Sequence, residues 1–359
     1  MRFRELREYE DLNQEKDKII ATISGLEAAD EEQAKMLDRI WKLLNSETVG
    51  NNITNAFKNP MADELMPEKT KESHRINLTQ ILSQLDSDYA SMNQFLKKLE
   101  AGGVINIEQL KKPVNSFSAV FDGDAVALKA FDALKQYGVG QAQKGPGEFA
   151  LAMLSNKIRL AEGDGDTEIE GIGKVEVKAA VGSSGAGGRL GHGGAGQAQQ
   201  MATLEKYAEN IPATLERIRA SKGGSIGITE FVKGLNAELD PSDSANRQLR
   251  QKIALELLKP NFGSYANSIA ETFGQTDSNI CIAEYVKQNF EWYKNRDNFD
   301  AYLLISFTRK KTGMGRTGED VLKLRETGQI TGFGISMIPT KAGPREQFAQ
   351  ITMSASGIG

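Results

Sequence analysis

Apolar residues recur at helical spacing through the first part of the chain. They run from Leu6 to Leu26 and again from Met36 to Leu44, so the pattern predicts two helices, paired as an antiparallel hairpin or as part of a coiled coil. A third helix is predicted over residues 78–99, ending at a pair of glycines. Shorter helices follow it.

The stretch 48–76 is polar and contains two prolines, which is typical of a loop or linker. His74 falls within it and is expected to be a solvated surface side chain. Nothing in this part of the sequence points to catalysis. We therefore expect residues 1–137 to form a helical accessory or oligomerisation region.

The pattern changes after Gly138. Apolar residues here follow a helical spacing in some segments and a strand spacing in others. This predicts an α+β or α/β fold over residues 138–359, with a mixed sheet flanked by helices and a helical insertion at about 202–294. The predicted elements are a helix at 148–160, a hairpin at 168–180, a glycine-dense loop at 182–196, strands at 301–308, 331–338 and 348–354, and a helix at 319–327.

Composition narrows the possible functions. The 44 basic and 48 acidic residues give a net charge of -4, which excludes a polybasic nucleic-acid coat but allows a local basic groove. Cys281 is the lone cysteine, so no internal disulfide is possible, and we expect a buried structural thiol in a reducing cytoplasm. No signal peptide and no apolar run of about 20 residues is present, so we expect no membrane partner.

Two histidines in the whole chain argue against serine–histidine or cysteine–histidine catalysis and against multi-histidine zinc sites. The phosphate loop GxxxxGK[ST] is absent too. Any enzymatic chemistry must therefore depend on carboxylates, lysine and a bound metal.

The segment GDGDTEIEGIGKVEVK supplies such a set. Along a strand, alternation places Glu176 and Lys178 on one face, opposite Val175 and Val177. A turn near Gly171 then makes a hairpin that brings Asp166 close to both. Phosphodiester hydrolysis needs a metal and an activated water, and Mg²⁺ is held by one or two carboxylates. Asp166 and Glu176 are the candidate ligands. Lys178 is the group expected to orient the water or to offset the charge that builds on phosphorus.

The pattern D-x(9)-E-V-K, preceded by GPGEFALAML, resembles the PD-(D/E)XK nuclease superfamily, in particular members encoded by tailed, T4-like bacteriophages. The resemblance covers roughly residues 140–200. It implies a restriction-endonuclease-like fold with Asp166, Glu176, Lys178 and Glu148 as catalytic residues. Of these, Asp166, Glu176 and Glu148 would hold Mg²⁺ or Mn²⁺, and Asp164 is the alternative to Asp166. The proline of the motif is replaced by Gly165.

Other polar residues are candidates for contacts with nucleic acid. In the glycine-dense loop these are Arg189 and His192, and the alternative is a flexible linker. Gln199 begins the next predicted helix and would contact the site or cap the helix. Arg309, Lys310 and Lys311 lie in a predicted basic loop, where they would bind phosphate or be solvated.

Three functions remain open at this stage. The first is metal-dependent hydrolysis of DNA, with DNA as the partner. The second is a phage virion or assembly protein with an inactive nuclease-like fold, which would bind copies of itself or phage structural proteins through the N-terminal helices. The third is a nucleic-acid-binding module without catalysis. The resemblance implies the host cytoplasm during infection as the location, or the virion.

Overall fold

A computed structural model describes residues 31–57, 68–138, 145–161, 163–180, 202–220, 225–307, 309–326, 331–336 and 351–354 of the chain. These residues belong to two compact units. Unit 1 comprises residues 1–106 and 118–162, and unit 2 comprises residues 107–117 and 163–359. The domain boundary expected from composition, at residues 137–138, falls inside unit 1.

The helices and strands are numbered in chain order. The helices are α1 (Glu31–Leu44), α2 (Glu47–Phe57), α3 (Glu68–Ser83), α4 (Tyr89–Glu100), α5 (Ile107–Leu110), α6 (Phe117–Val120), α7 (Ala125–Gly138), α8 (Pro146–Leu154), α9 (Pro212–Ala220), α10 (Ile228–Glu238), α11 (Ser244–Phe262), α12 (Tyr265–Thr272), α13 (Ser278–Asp297) and α14 (Gly318–Glu326). The strands are β1 (Val114–Ser116), β2 (Ile158–Leu160), β3 (Thr167–Ile169), β4 (Gly173–Ala180), β5 (Ser225–Gly227), β6 (Ala301–Ser306), β7 (Lys311–Gly315), β8 (Thr331–Ser336) and β9 (Ile351–Ser354).

Unit 1 is mostly helical, as its apolar spacing predicts. Helix α1 buries Met36, Leu37, Ile40 and Leu44 on one face. Helix α4 buries a similar stripe and begins at Asp88, whose carboxylate accepts the backbone N–H of Ser91, which is a common N-cap arrangement. The predicted helix at 148–160 is shorter than expected: α8 ends at Leu154, and β2 occupies residues 158–160.

The interpretation of residues 48–76 as a loop is wrong, because α2 and α3 cover most of this range. In α2 the buried residues Val49, Ile53 and Ala56 share one face, but polar residues between them hide this stripe. His74 is not a solvated side chain. Its ring stacks on Phe57, with 3.8 Å between centroids, and Nδ1 lies 2.7 Å from the Tyr137 hydroxyl oxygen.

Unit 2 contains five strands of a mixed sheet, side by side in the order β1-β7-β6-β4-β3. Strand β4 runs parallel to β6, with Glu176 opposite Tyr302. The other pairs in this order are antiparallel. The fold is therefore α+β with a mixed sheet. Strands predicted near 331–338 and 348–354 are present as β8 and β9, but they pair with β5 in a separate sheet.

Strand β7 was missed by the sequence analysis, which assigned its residues to a basic loop. Lys311 is its first residue, while Arg309 and Lys310 lie in the turn between β6 and β7. The sequence KTGMG looks unlike a strand because of its glycines. Gly315 lets α14 approach, since a Cβ there would lie 3.0 Å from a methyl of Val321.

Helix α13 packs against the sheet through Phe290, whose ring meets the Tyr302 ring of β6 edge to face at 6.3 Å. Asp277 caps its start, and Asn298, in the left-handed conformation, ends it. Cys281 on this helix is buried, as predicted, and its thiol donates a hydrogen bond to the Thr272 carbonyl, with 2.9 Å between sulfur and oxygen. Among the helices of the described ranges, none is both long and apolar enough to cross a bilayer.

The β3–β4 hairpin is built around two glycines with positive φ, Gly171 at 71° and Gly173 at 103°. The carboxylate of Asp300 accepts the Lys174 backbone N–H at 2.8 Å, and the Asp300 N–H donates to the Lys174 carbonyl at 2.7 Å. A Cβ at position 173 would lie 2.1 Å from Asp300 Oδ2. The turn therefore requires glycine for conformation and for space.

Gly173→Ala is expected to lower the free energy of unfolding by about 2 kcal/mol or more, because it adds positive-φ strain and displaces Asp300 from its hydrogen bond. Urea unfolding followed by circular dichroism measures the change. Gly163→Ala is the matched control, since a Cβ there meets no atom within 4 Å, and its effect should stay within about 0.5 kcal/mol. Equal effects of the two substitutions would contradict this account of the turn.

Burial lowers the pKa of His74 below 6.5. The unfolded chain then binds a proton more readily than the folded chain, so this histidine's contribution to stability is lost as the pH falls below 6.5. Comparing unfolding midpoints of wild type and His74→Gln from pH 8 to pH 5 tests this. The advantage of wild type should shrink toward pH 5, and a difference that does not vary with pH would refute it.

Candidate active site

The three predicted residues of the hairpin lie on one face of β3 and β4. In the antiparallel register Thr167 is opposite Val175. The Asp166 N–H donates to the Val175 carbonyl at 3.0 Å, which extends the pairing by one residue. Asp166 therefore lies opposite Glu176, and Lys178 projects from the same face two residues further along β4.

The Lys178 ammonium contacts both carboxylates. It donates a hydrogen bond to Glu176 Oε1 and lies 3.6 Å from Asp166 Oδ2. Asp166 Oδ2 also accepts the Val177 backbone N–H at 2.8 Å. The side chains of Glu176, Asp166 and Lys178 are 10%, 22% and 24% exposed. Because the cluster is largely removed from water, its charges interact more strongly than surface charges do.

Tyr293 is a site residue that the sequence analysis missed. Its hydroxyl donates to Glu176 Oε1 at 2.5 Å, although 117 positions separate the two residues. Burial raises the pKa of Tyr293 far above 10, and the negative charge of Glu176 raises it further. No local pattern in the segment FEWYKNRD shows this contact.

Tyr302 is the second tyrosine beside this carboxylate. It is the register partner of Glu176 on β6, and it is fully buried. Within the described residues its hydroxyl has no hydrogen-bond partner. Burial raises the pKa of Tyr302 well above 10, and the negative charges of Glu176 and Asp166 raise it further. Both tyrosines are therefore neutral groups next to the acidic pair.

Asp164 and Glu148 have other partners. Asp164 Oδ2 accepts hydrogen bonds from Asn298 Nδ2 at 2.7 Å and Lys174 Nζ at 3.1 Å, and these bonds hold the pKa of its carboxyl below its usual range. Asp166 is thus the aspartate that meets Lys178. Glu148 lies in unit 1, where Oε2 accepts the Gly145 N–H at 2.8 Å and so caps the start of α8.

The other candidate residues are only partly described. Arg189, His192 and Gln199 lie outside the described residues. Arg309 and Lys310 are exposed in the β6–β7 turn, and Lys310 has a φ of 53°. This turn follows Ser306, which is paired with Ala180 at the end of β4. The basic turn and the end of β4 therefore lie at the same end of the sheet.

Asp166 and Glu176 match the donor chemistry that a magnesium ion requires. Carboxylate oxygens are hard ligands, and Mg²⁺ usually takes one or two of them together with waters and substrate oxygens. Across the ranges that the structure describes, no group of three or more histidine, cysteine, aspartate or glutamate side chains is arranged to hold a metal. The fit therefore rests on the pair alone.

The chain matches no protein-family model, no curated protein and no solved structure.

Proposed function

We propose that this protein hydrolyses phosphodiester bonds in DNA with the help of Mg²⁺ or Mn²⁺. The observation that carries the proposal is the contact of Lys178 with both Asp166 and Glu176 on one face of a hairpin. Two carboxylates and a lysine in this arrangement contain the groups that metal-assisted hydrolysis needs. The resemblance of the same residues to PD-(D/E)XK nucleases of tailed phages supports the choice of reaction.

The proposed roles follow from the chemistry of each group. Asp166 and Glu176 would hold the divalent cation, which supplies positive charge to the phosphate oxygens when bound. Lys178 would orient the attacking water and offset negative charge on phosphorus. The main-chain bond from Val177 to Asp166 fixes one carboxylate. Its companion, Glu176, is fixed by Tyr293.

The exposed basic turn supports a polyanionic substrate. Arg309 and Lys310 lie at the end of the sheet where β4 ends, and in this proposal both would contact phosphates of a strand whose scissile bond sits at Lys178. The phage resemblance suggests the cytoplasm of an infected host, or the virion, as the place of action.

A second candidate is a nuclease-like fold without activity, used as a scaffold or DNA-binding module. One observation favours it: Glu148, which the resemblance assigns to the metal, caps the start of α8 instead. The helices of unit 1 would then bind other copies or phage structural proteins.

Plasmid cleavage with Mg²⁺ or Mn²⁺ tests the proposed activity. Asp166→Asn and Lys178→Ala are each expected to lower the cleavage rate by roughly 100-fold or more, because each removes a group that acts on the reacting phosphate. Lys174→Ala is the matched control: Lys174 is on the same strand, two residues before Glu176, and pairs with Asp164. Its rate should stay within about threefold of wild type.

Intact plasmid after incubation of the wild type with either metal would refute the nuclease. A gel shift of uncut DNA would support the binding module instead. Equal loss of activity in Lys174→Ala and Lys178→Ala would show that the charge of the hairpin matters and the carboxylate pair does not.

A further inference from the structure

The Glu176 carboxylate receives two hydrogen bonds on the same oxygen from donors of different charge. Lys178 reaches Oε1 from the same strand, and Tyr293 reaches it from α13. The lysine is cationic and partly exposed, whereas the tyrosine is neutral and 1% exposed. The proposed function requires a divalent cation at Asp166 and Glu176. The difference in charge determines which of the two hydrogen bonds to Glu176 persists when that cation binds.

A divalent cation between Asp166 and Glu176 repels the Lys178 ammonium, which contacts both carboxylates. Because the site is partly buried, this repulsion is stronger than it would be in water, and the lysine is displaced when the cation binds. The Tyr293 hydroxyl carries no charge and donates to Glu176 from a buried ring on α13, so a cation does not repel it. It therefore remains a donor whether or not a cation is bound.

The Tyr293 ring is held from several sides. The Arg296 guanidinium lies 5.1 Å from its centroid and 4.8 Å from that of Trp292. Phe299 meets the ring edge to face at 5.1 Å. Arg296 is in turn held by Asp297, with two N–O distances of 2.5 and 2.7 Å. The hydroxyl therefore approaches Glu176 from a fixed ring, which is what a supporting donor behind a metal ligand requires.

We propose that Tyr293 is a positioning residue for Glu176: an uncharged donor that keeps this carboxylate in place when Lys178 gives way to a divalent cation. The inference rests on the proposed function, because it assumes that Asp166 and Glu176 bind the metal. It assigns to Tyr293 a role in metal affinity, with no contact to the substrate. Lys178 acts on the water and the reacting phosphate. Before the metal binds, it competes with the cation for the two carboxylates.

Binding of Mn²⁺ to the full-length protein, measured by calorimetry without DNA, tests this role. Tyr293→Phe keeps the ring but removes the donor, and should raise the dissociation constant roughly tenfold. Lys178→Ala should leave it unchanged or lower it, because a competing cation is removed. Tyr285→Phe is the matched control: this fully buried tyrosine on the same helix has a hydroxyl without a partner among the described residues, and its removal should change the constant less than twofold.

Three results would overturn the inference. The first is Tyr293→Phe binding Mn²⁺ within twofold of wild type, in a protein that still binds and cleaves. The second is an equal loss in Tyr285→Phe, which would indicate general packing. The third is a weakening in Lys178→Ala as large as in Tyr293→Phe, which would make the lysine the holding group.

Failure of the proposed function looks different: wild type then binds no Mn²⁺ and cuts no DNA, and the inference falls with it. If Tyr293→Phe does not fold, Arg296→Gln replaces it. This substitution loosens the ring but keeps the hydroxyl, and should raise the constant in the same direction by a smaller factor. No rise with Arg296→Gln would then overturn the inference.

Discussion

The parallel pairing of β4 with β6 is the constraint on which the site in unit 2 depends. Parallel neighbours cannot be joined by a tight turn and need a long crossover, here residues 181–300. The crossover carries α13, which packs beside the sheet and ends at Asn298, shortly before β6. Because Glu176 is opposite Tyr302 in this pairing, the register places the Tyr302 side chain beside the carboxylate. A shift of one residue would turn Glu176 to the opposite face.

Hydrogen bonds anchor the end of α13 to the hairpin. Asp300 exchanges two backbone-directed hydrogen bonds with Lys174, and Asn298 bonds to Asp164. These bonds fix the end of α13 to the start of β4, which lies three residues before Glu176. Tyr293 lies about one turn before the end of α13, so fixing that end also fixes the distance from its hydroxyl to Glu176.

The sequence predicted the parts of this site that depend on short-range geometry. Asp166, Glu176 and Lys178 lie within thirteen consecutive residues, and the two-residue period of a strand with a glycine turn is enough to bring them together. Tyr293 depends on the crossover, which no local period encodes. GPGE illustrates a different difficulty: a proline and a glutamate are also common in the first turn of a helix. The structure shows Glu148 in that role, where it accepts the Gly145 N–H. The strand β7 and the helix α2 were missed because glycines and interspersed polar residues hide their apolar faces.

The net charge of Asp166, Glu176 and Lys178 determines which ions this cluster attracts. Two carboxylates and one ammonium leave one net negative charge in a site that is mostly out of water, and a buried net charge is costly unless it is bonded. Neutral donors reduce this cost without changing the charge: Tyr293 and the Val177 N–H each give one hydrogen bond. A divalent cation in place of Lys178 would neutralise both carboxylates, so the site retains an attraction for cations that a fully neutralised ion cluster would lack. Had the second donor to Glu176 been another lysine or an arginine, the cluster would be neutral, and a divalent ion would find no net charge to bind.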